Sequence, residues 1–413
     1  MIRSLSIALL IGLLPLTALG QFDDIPNTRP SGQSGATMFE SPVSDDTAFD
    51  GFELSIGGAF AQQLQSINHS GPNLDNDGIG RGFNLATANL DLDARMARGI
   101  NLHVRTYLSS RHHPEAWVKG GYLQVNELPM FNSDAVDRVM ENLSIRAGHF
   151  MPNYGDTHFR RTDNADAIHN PFVGNTIVDA FTTEVGAEAL VKSNGFLAVG
   201  GFGGALNPTV NSPDERAPSF HGKLGYDAQV NDLVRVRLTG SAYYTKKSND
   251  GQLHSGDRAG SRYYNVVSGG DWSGRLRINY ADQTTAFMLN PFVKIGGLEL
   301  FGTIETITGE AAGNDDARTN QYAAEAVYRF LDNDLFVGAR YNTVTADQNF
   351  GSDSPSWSEV SVDRWQFGAG WYMTENILVK GEYVTQSYND YPAGLDRTGA
   401  EFDGLMIEGV VSF

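Results

Sequence analysis

The chain has 413 residues, with 30 Lys and Arg against 49 Asp and Glu and a formal net charge of −19, which excludes the clustered basic charge that a nucleic-acid-binding protein needs. It contains no Cys, so disulfides, thiolate metal sites and cysteine nucleophiles are excluded as well. After residue 20 no stretch approaches the ~20 apolar residues of a membrane-spanning helix, so the chain is not a helical membrane protein.

The first twenty residues have the composition of a secretory signal peptide. Arg3 precedes an apolar stretch from Ile7 to Leu16, and small residues stand just before position 21, as in an export signal with its cleavage site. The alternative, an N-terminal membrane anchor, needs ~20 apolar residues, more than this stretch supplies. We predict a signal peptide at 1–20 and a flexible periplasmic leader at 21–50, where Asp, Ser, Pro, Thr and Gly abound without a period.

From residue 51 to 413, apolar and polar residues alternate. In the last segment Leu405, Ile407 and Val411 take one face, and Glu408 and Ser412 take the other. Successive side chains leave a strand on opposite faces, so a period of two predicts β-structure. The segment 271–281 would add a pair of strands, which makes eighteen the alternative count. We predict sixteen strands, near 51–65, 83–97, 100–110, 115–126, 142–150, 183–192, 195–204, 218–230, 233–246, 284–295, 298–309, 320–331, 335–346, 362–374, 377–389 and 401–413.

The connections between these strands alternate between short and long. Tight turns lie at Asp332–Asp334 and Glu375–Asn376, whereas the polar stretches Ser248–Gly270 and Asp390–Ala400 are long. Short turns on one side and long loops on the other are typical of an all-β transmembrane antiparallel β-barrel, which places 51–413 in the bacterial outer membrane among lipid and lipopolysaccharide. The alternative is a soluble β-sandwich. A sandwich would hide its apolar face in a core, but here that face is rich in Gly and Ala while the polar face carries many charges.

A barrel of sixteen or eighteen strands encloses an aqueous channel, and its polar face then lines the pore. Acidic residues such as Glu299, Glu325 and Glu382 are interleaved with basic ones on this face. A mixed wall of this kind indicates a channel for polar solutes. The basic residues that we assign to the pore wall are Arg95, Arg105, Arg235, Arg237, Arg329, Arg340, Arg364 and Lys380.

The segment Met151–Thr182 follows the fifth predicted strand and is long enough to fold back into the barrel as its third loop. Its apolar residues, among them Phe172, Ile177 and Phe181, would serve little purpose in a loop exposed to the medium. The alternative is a solvated surface loop. If the segment folds inward it narrows the pore, and the residues predicted at the constriction are Arg146, His158, Arg160, Arg161, Asp156, Asp163 and Asp166.

The export signal, the amphipathic strands, the stretch RAGHFMPNYGDTHFRR at 146–161 and the terminal Phe413 together resemble porins of the phosphate-selective porin O and P superfamily. The resemblance implies a water-filled, trimeric outer-membrane channel with an inward-folded third loop. Phosphate selectivity in that family rests on a run of arginines and lysines down the pore. Here the basic wall residues are interleaved with acidic ones, so we predict passive diffusion of small hydrophilic solutes or ions, with phosphate as one candidate anion.

Other kinds of site have weaker signals. Asn73, Asp75 and Asp77 have the spacing of a calcium-binding loop, but position 12 of that pattern is Asn84 instead of Glu, so a plain turn is the alternative. The sequence contains neither G-x-S-x-G nor H-E-x-x-H, and we predict neither enzymatic activity nor a cofactor. The alternative to a channel is a closed structural or surface-interaction barrel whose loops bind partners.

Overall fold

The computed structural model describes residues 25–44, 47–74, 78–109, 116–204, 217–247, 252–254, 262–267, 274–278, 280, 283–311, 314–351 and 357–413. The predicted signal peptide at 1–20 lies outside the described residues. The helix α1 (Asp134–Met140) lies in the connection between two strands. Within the described ranges there is no helix with the length and apolar character needed to cross a membrane.

Sixteen strands account for most of the described residues. The first eight are β1 (Glu53–Ser70), β2 (Thr87–Ala97), β3 (Ile100–Ser109), β4 (Trp117–Val125), β5 (Leu143–Phe150), β6 (Glu184–Ser193), β7 (Phe196–Gly204) and β8 (Pro218–Gln229). The second eight are β9 (Val234–Thr245), β10 (Thr284–Ile295), β11 (Leu298–Ala311), β12 (Asn314–Phe330), β13 (Leu335–Asn349), β14 (Trp357–Thr374), β15 (Ile377–Asn389) and β16 (Glu401–Ser412). Single 3-10 turns occur at Gln33–Gly35, Pro129–Phe131, Thr157–Phe159 and Gln252–His254.

The sheet is closed and antiparallel throughout. Each strand pairs with the next along the chain, and β1 pairs with both β2 and β16, so that Ala59 lies opposite Asn89 on one side and Ser412 on the other. A two-residue strand, Gly82–Phe83, adds a short pairing to β1. The predicted sixteen-strand barrel is confirmed. The eighteen-strand alternative is wrong, because the described residues of 271–281 (274–278 and 280) are not in a strand.

Alternate side chains of each strand have opposite environments, as the period of two requires. In β16, Leu405 and Ile407 are 57% and 51% exposed, whereas Met406 and Glu408 are fully buried. Exposed apolar side chains surround the barrel, and they are stable only where lipid covers them. A closed barrel with an apolar outer surface belongs in the bacterial outer membrane.

The wall of the barrel differs in height around its circumference. The strands β4 to β7 have 8 to 10 residues, whereas β11 to β14 have 14 to 18. We call β4–β7 the low wall and β11–β14 the tall wall. The longer strands give the tall wall more inward-facing side chains, and most of these bind the chain segments that lie inside the barrel.

The first of these inner segments is residues 25–44, which we call the N-terminal segment. Ile25, Phe39 and Val43 are buried, and the backbone N–H of Gln33 donates to the carbonyl oxygen of Glu375, in a short turn of the barrel, at 2.8 Å. The segment therefore lies across the periplasmic end of the barrel. The flexible leader predicted from the sequence is wrong for these residues, because their apolar side chains and backbone find partners inside the barrel.

The second inner segment is Met151–Thr182, which we call the inner loop. Phe172, Val173 and Ile177 are fully buried and contact side chains of the tall wall and of β15 and β16. A third segment comprises residues 262–267, 274–278 and 280, between β9 and β10, with Tyr263 and Ile278 fully buried. The sequence predicted a long external connection there. Its described residues instead lie inside the barrel because their apolar side chains pack against the inner loop and the wall.

Candidate functional site

The inner loop is attached to the tall wall by a buried network of ion pairs around Arg160. The guanidinium of Arg160 donates to Glu325 at 2.5 and 3.0 Å and to Glu299 at 3.2 Å. Arg329 donates to the other oxygen of Glu299 at 2.7 Å, and Arg340 to the other oxygen of Glu325 at 2.7 Å. All five side chains are at most 5% exposed. Buried charges need partners of opposite charge, so this network fixes the position of the loop.

A second attachment uses the backbone of the loop. The Lys380 ammonium donates to the carbonyl oxygens of Ala167, Asn170 and Phe172, each at 2.8 Å. Arg364 donates to the carbonyl oxygen of Asn175 at 2.7 Å. Backbone carbonyls that leave regular structure need donors, and wall residues supply them here.

These contacts change the role of several residues predicted for the pore wall. Arg329, Arg340, Arg364 and Lys380 bind the inner loop or its carboxylate partners and do not face an open channel. Two others bind the chain that precedes β1. Arg235 donates to the carbonyl oxygen of Thr37 in the N-terminal segment, and Arg95 donates to those of Thr47 and Ala48, between that segment and β1. These arginines do not face a channel because the long arginine side chain extends from the wall and donates to any segment packed beside it.

Asp156 of the inner loop lies in a third network that joins the loop to the N-terminal segment. It accepts from Lys223 at 2.9 Å and from Arg237 at 2.8 and 2.9 Å, and both cations also contact Glu40. Burial raises the pKa of Glu40, but the charges of Lys223 and Arg237 outweigh it and lower that pKa to about 2. Burial also raises the pKa of Asp156, but the same two cations outweigh it and hold that pKa well below its ordinary value.

His158 and Arg161 lie beside these networks. Burial and the charge of Lys223 lower the pKa of His158 to about 3, so the imidazole is neutral at pH 7. Arg161 donates to Asp179 at 2.8 Å and to Asp163 at 3.3 Å. Burial raises the pKa of Asp163, but Lys119, Arg161 and Arg105 together lower it to about 2. Asp163 therefore stays charged and His158 stays neutral through the physiological pH range.

On the other side of the barrel a polar cavity of about 660 Å³ remains. Its outer wall is formed by β2 to β5, with residues of β1 and β6 at the two edges, and the inner loop and the N-terminal segment face it. Across it Arg105 donates to Asp91 at 2.7 and 2.8 Å and to Asp166 of the loop at 3.0 Å. The wall residues that line it include Asp91, Asp93, His103, Arg105, Tyr122 and Arg146.

Of the seven residues predicted at the constriction, Arg146, His158, Arg161, Asp163 and Asp166 line this cavity. Arg160 and Asp156 are buried in the networks away from it. The sequence pattern did not predict that the N-terminal segment packs inside the barrel and faces this cavity. Its isolated apolar residues Ile25, Phe39 and Val43, in an otherwise polar stretch, were the available signal.

The calcium candidate is only partly described. Asn73 donates to the carbonyl oxygen of Leu395 at 2.9 Å, which is the contact of a structural turn residue. Asp75 and Asp77 lie outside the described residues. Within the described ranges there is no group of three or more His, Asp or Glu side chains placed to hold a metal ion.

No family model matches the chain, and no curated protein matches it. Among solved structures it is similar to OprB of Pseudomonas putida, with 12% identity over 88% of this chain and 94% of that one and a TM-score of 0.55. It is also similar to an anion-selective porin from Comamonas acidovorans, with 13% identity, 88% and 100% coverage and a TM-score of 0.52. A third similar structure is the trimer form of OmpT, an outer membrane protein of Vibrio cholerae. It has 13% identity over 88% of this chain and 100% of that one, with a TM-score of 0.50.

This chain has the fold of an outer-membrane porin. At identities of 12% and 13% the likeness concerns the fold, and function rests on the geometry of the interior. In a porin-like barrel the decisive feature is the space left beside the inner loop. Here that space lies along β2–β5, next to half-buried charged side chains.

Proposed function

We propose that this barrel is an outer-membrane channel for passive diffusion of small hydrophilic solutes. The observation that carries the proposal is the polar cavity beside β2–β5, where charged side chains remain partly exposed. Side-chain exposures there are 14% for Asp91, 23% for Arg105 and 29% for Arg146. Ionised groups retain exposure of this kind where water reaches them, which supports a hydrated route on this side of the inner loop.

The charge of the cavity supports only weak ion selectivity. Arg105 contacts Asp91 and Asp166, and Arg161 contacts Asp163 and Asp179. A run of basic side chains, on which phosphate selectivity rests in the porin O and P superfamily, is replaced here by alternating charges. We therefore propose small polar solutes in general as the cargo and not phosphate in particular.

A second candidate function is a closed barrel that binds partners through its loops. The observation that favours it is the extent of the inner segments, because the N-terminal segment covers the periplasmic end and the inner loop fills the space beside the tall wall. The two functions differ in a single property, permeability to small neutral solutes.

We also propose that the chain forms a homotrimer in the membrane. The low wall, with strands of only 8 to 10 residues, supports this assembly, because a neighbouring subunit can cover a wall that is shorter than its opposite side. Light scattering of the detergent-solubilised protein, corrected for bound detergent, would give three chains per particle. A value of one chain would contradict it.

The channel proposal is tested by liposome swelling and by conductance in a planar bilayer. Liposomes that contain the refolded protein should swell in glycerol and arabinose, and more slowly in a disaccharide. Bilayers should show stable open steps in KCl. Absence of swelling in glycerol together with absence of open steps would contradict the channel and support the closed barrel.

A further inference from the structure

Arg146 differs from the other basic residues around the cavity. Its nearest carboxylate is Glu188, with the guanidinium nitrogen 3.8 Å from Oε1, which is too long for a hydrogen bond. Within the described ranges the Arg146 side chain donates no hydrogen bond, and its Nε is buried without a partner. Arg105 and Arg161, by contrast, both donate to carboxylates.

Glu188 is kept from Arg146 by other contacts. Its Oε2 accepts from the backbone N–H of Asn153 and contacts Nε2 of His221, each at 2.9 Å. The carboxylate therefore lowers the net charge near Arg146 but does not occupy its donors. The Arg146 side chain is also 29% exposed, so the donors of its two terminal nitrogens, unlike the buried Nε, are open to a solute in the cavity.

Aromatic side chains hold the guanidinium in place. Its carbon lies 4.5 Å from the centre of the Tyr122 ring and 5.8 Å from that of Phe150. A guanidinium that stacks on a ring keeps its N–H donors in one plane and loses little conformational freedom on binding. This is a prepared donor site without an acceptor.

The geometry points to a binding site for small monocarboxylates at Arg146, which rests on the proposed channel and names one class of its solutes. A planar carboxylate offers two acceptors that match the guanidinium fork. The cavity of about 660 Å³ is of the size that holds small organic ligands. Asp91, Asp93 and Asp166 face the same cavity, so a second negative charge on the solute meets repulsion, and dicarboxylates and phosphate bind less well.

Binding is tested first without reference to conduction. Saturation-transfer NMR with sodium butyrate and the detergent-solubilised protein should show a signal that Arg146→Gln weakens, with the dissociation constant raised about tenfold, as expected for the loss of hydrogen bonds to a charged group. Arg146→Lys keeps the positive charge but loses the paired N–H donors of the guanidinium. Its dissociation constant for butyrate should therefore lie between those of the wild type and Arg146→Gln. Arg138→Gln, in the exposed helix α1, is the matched control and should leave binding unchanged.

Conduction gives the second test. Butyrate at constant ionic strength should reduce the chloride current, succinate and phosphate should reduce it less, and Arg146→Gln should raise the half-blocking butyrate concentration about tenfold. Equal butyrate binding by wild type and Arg146→Gln would overturn the site, whatever the conductance. A protein that binds butyrate through Arg146 but never conducts or admits glycerol would retain the site and overturn the proposed channel.

Discussion

The two sides of the barrel interior carry the same alternation of charged residues and use it differently. Along β8–β16, which we call the filled side, Arg160, Glu299 and Glu325 are buried and fully paired across segments. Along β2–β5, the open side, Asp91 and Arg105 pair but remain partly exposed beside a cavity. An inward-facing charge therefore does not by itself mark a pore wall. Whether such a residue faces water depends on whether an inner segment packs against it.

The largest expected difference between the two sides concerns the loss of one arginine. Arg160→Ala removes the donors to one buried oxygen of Glu299 and one of Glu325, while Arg329 and Arg340 still pair with the other oxygens. The two unsatisfied acceptors together cost about 2–6 kcal/mol in the free energy of unfolding. Arg105→Ala on the open side should cost about 1 kcal/mol, because water can hydrate Asp91 and Asp166 there. Urea titration in detergent micelles, followed by heat-modifiable migration on gels, measures both. Equal losses would mean that the two sides are equally hydrated.

The second prediction concerns pH and the region where the N-terminal segment meets the inner loop. Burial and the charge of Lys223 lower the pKa of His158 to about 3, and burial and Arg29 lower the pKa of His169 well below its ordinary value. The unfolded chain binds protons below pH ~6.5 that the folded chain does not, so stability falls as the pH falls from there. The slope should be about 1.4 kcal/mol per pH unit for each histidine.

The measurement is urea titration of the wild type at pH 7 and pH 5. His158→Gln and His169→Gln should each flatten the dependence, since a glutamine does not titrate in this range. The Glu40 and Asp163 carboxylates, with pKa values of about 2, add to the loss only below pH ~4.5. If the double variant kept the same pH dependence of stability, groups other than these two histidines would be responsible for it.

The smallest expected effect concerns the closure of the periplasmic end. Arg29 donates to the carbonyl oxygen of Gly35 at 2.8 and 2.9 Å and to that of Phe159 at 2.9 Å. Arg29→Ala should loosen the N-terminal segment at a cost of about 1–3 kcal/mol and raise the conductance in KCl. Thr28→Ala, which removes a bond within the segment alone, is the control. Unchanged conductance in Arg29→Ala would show that the segment does not narrow the route.

The strand pattern could be predicted from the sequence because it depends on a local period. All sixteen predicted strands overlap the observed ones, including the β4 strand, Trp117–Val125, where the alternation is irregular. The interior could not be predicted in the same way. One partner of Arg160 is Glu299, 139 residues away, and no local pattern connects the two. The N-terminal segment was misjudged because three separated apolar residues do not form a period, although each is buried against the barrel.

We propose that solutes pass along the open side and that the filled side is closed. Because the chain contains no Cys, single cysteines can be introduced without background. Ser55→Cys lies at the cavity, and Thr319→Cys replaces a fully buried residue on the inner face of β12. In a planar bilayer, a charged methanethiosulfonate reagent should reduce the current through Ser55→Cys and leave Thr319→Cys unchanged. If the reagent reduced the current through Thr319→Cys and had no effect on Ser55→Cys, solutes would pass along the filled side and not along the open side.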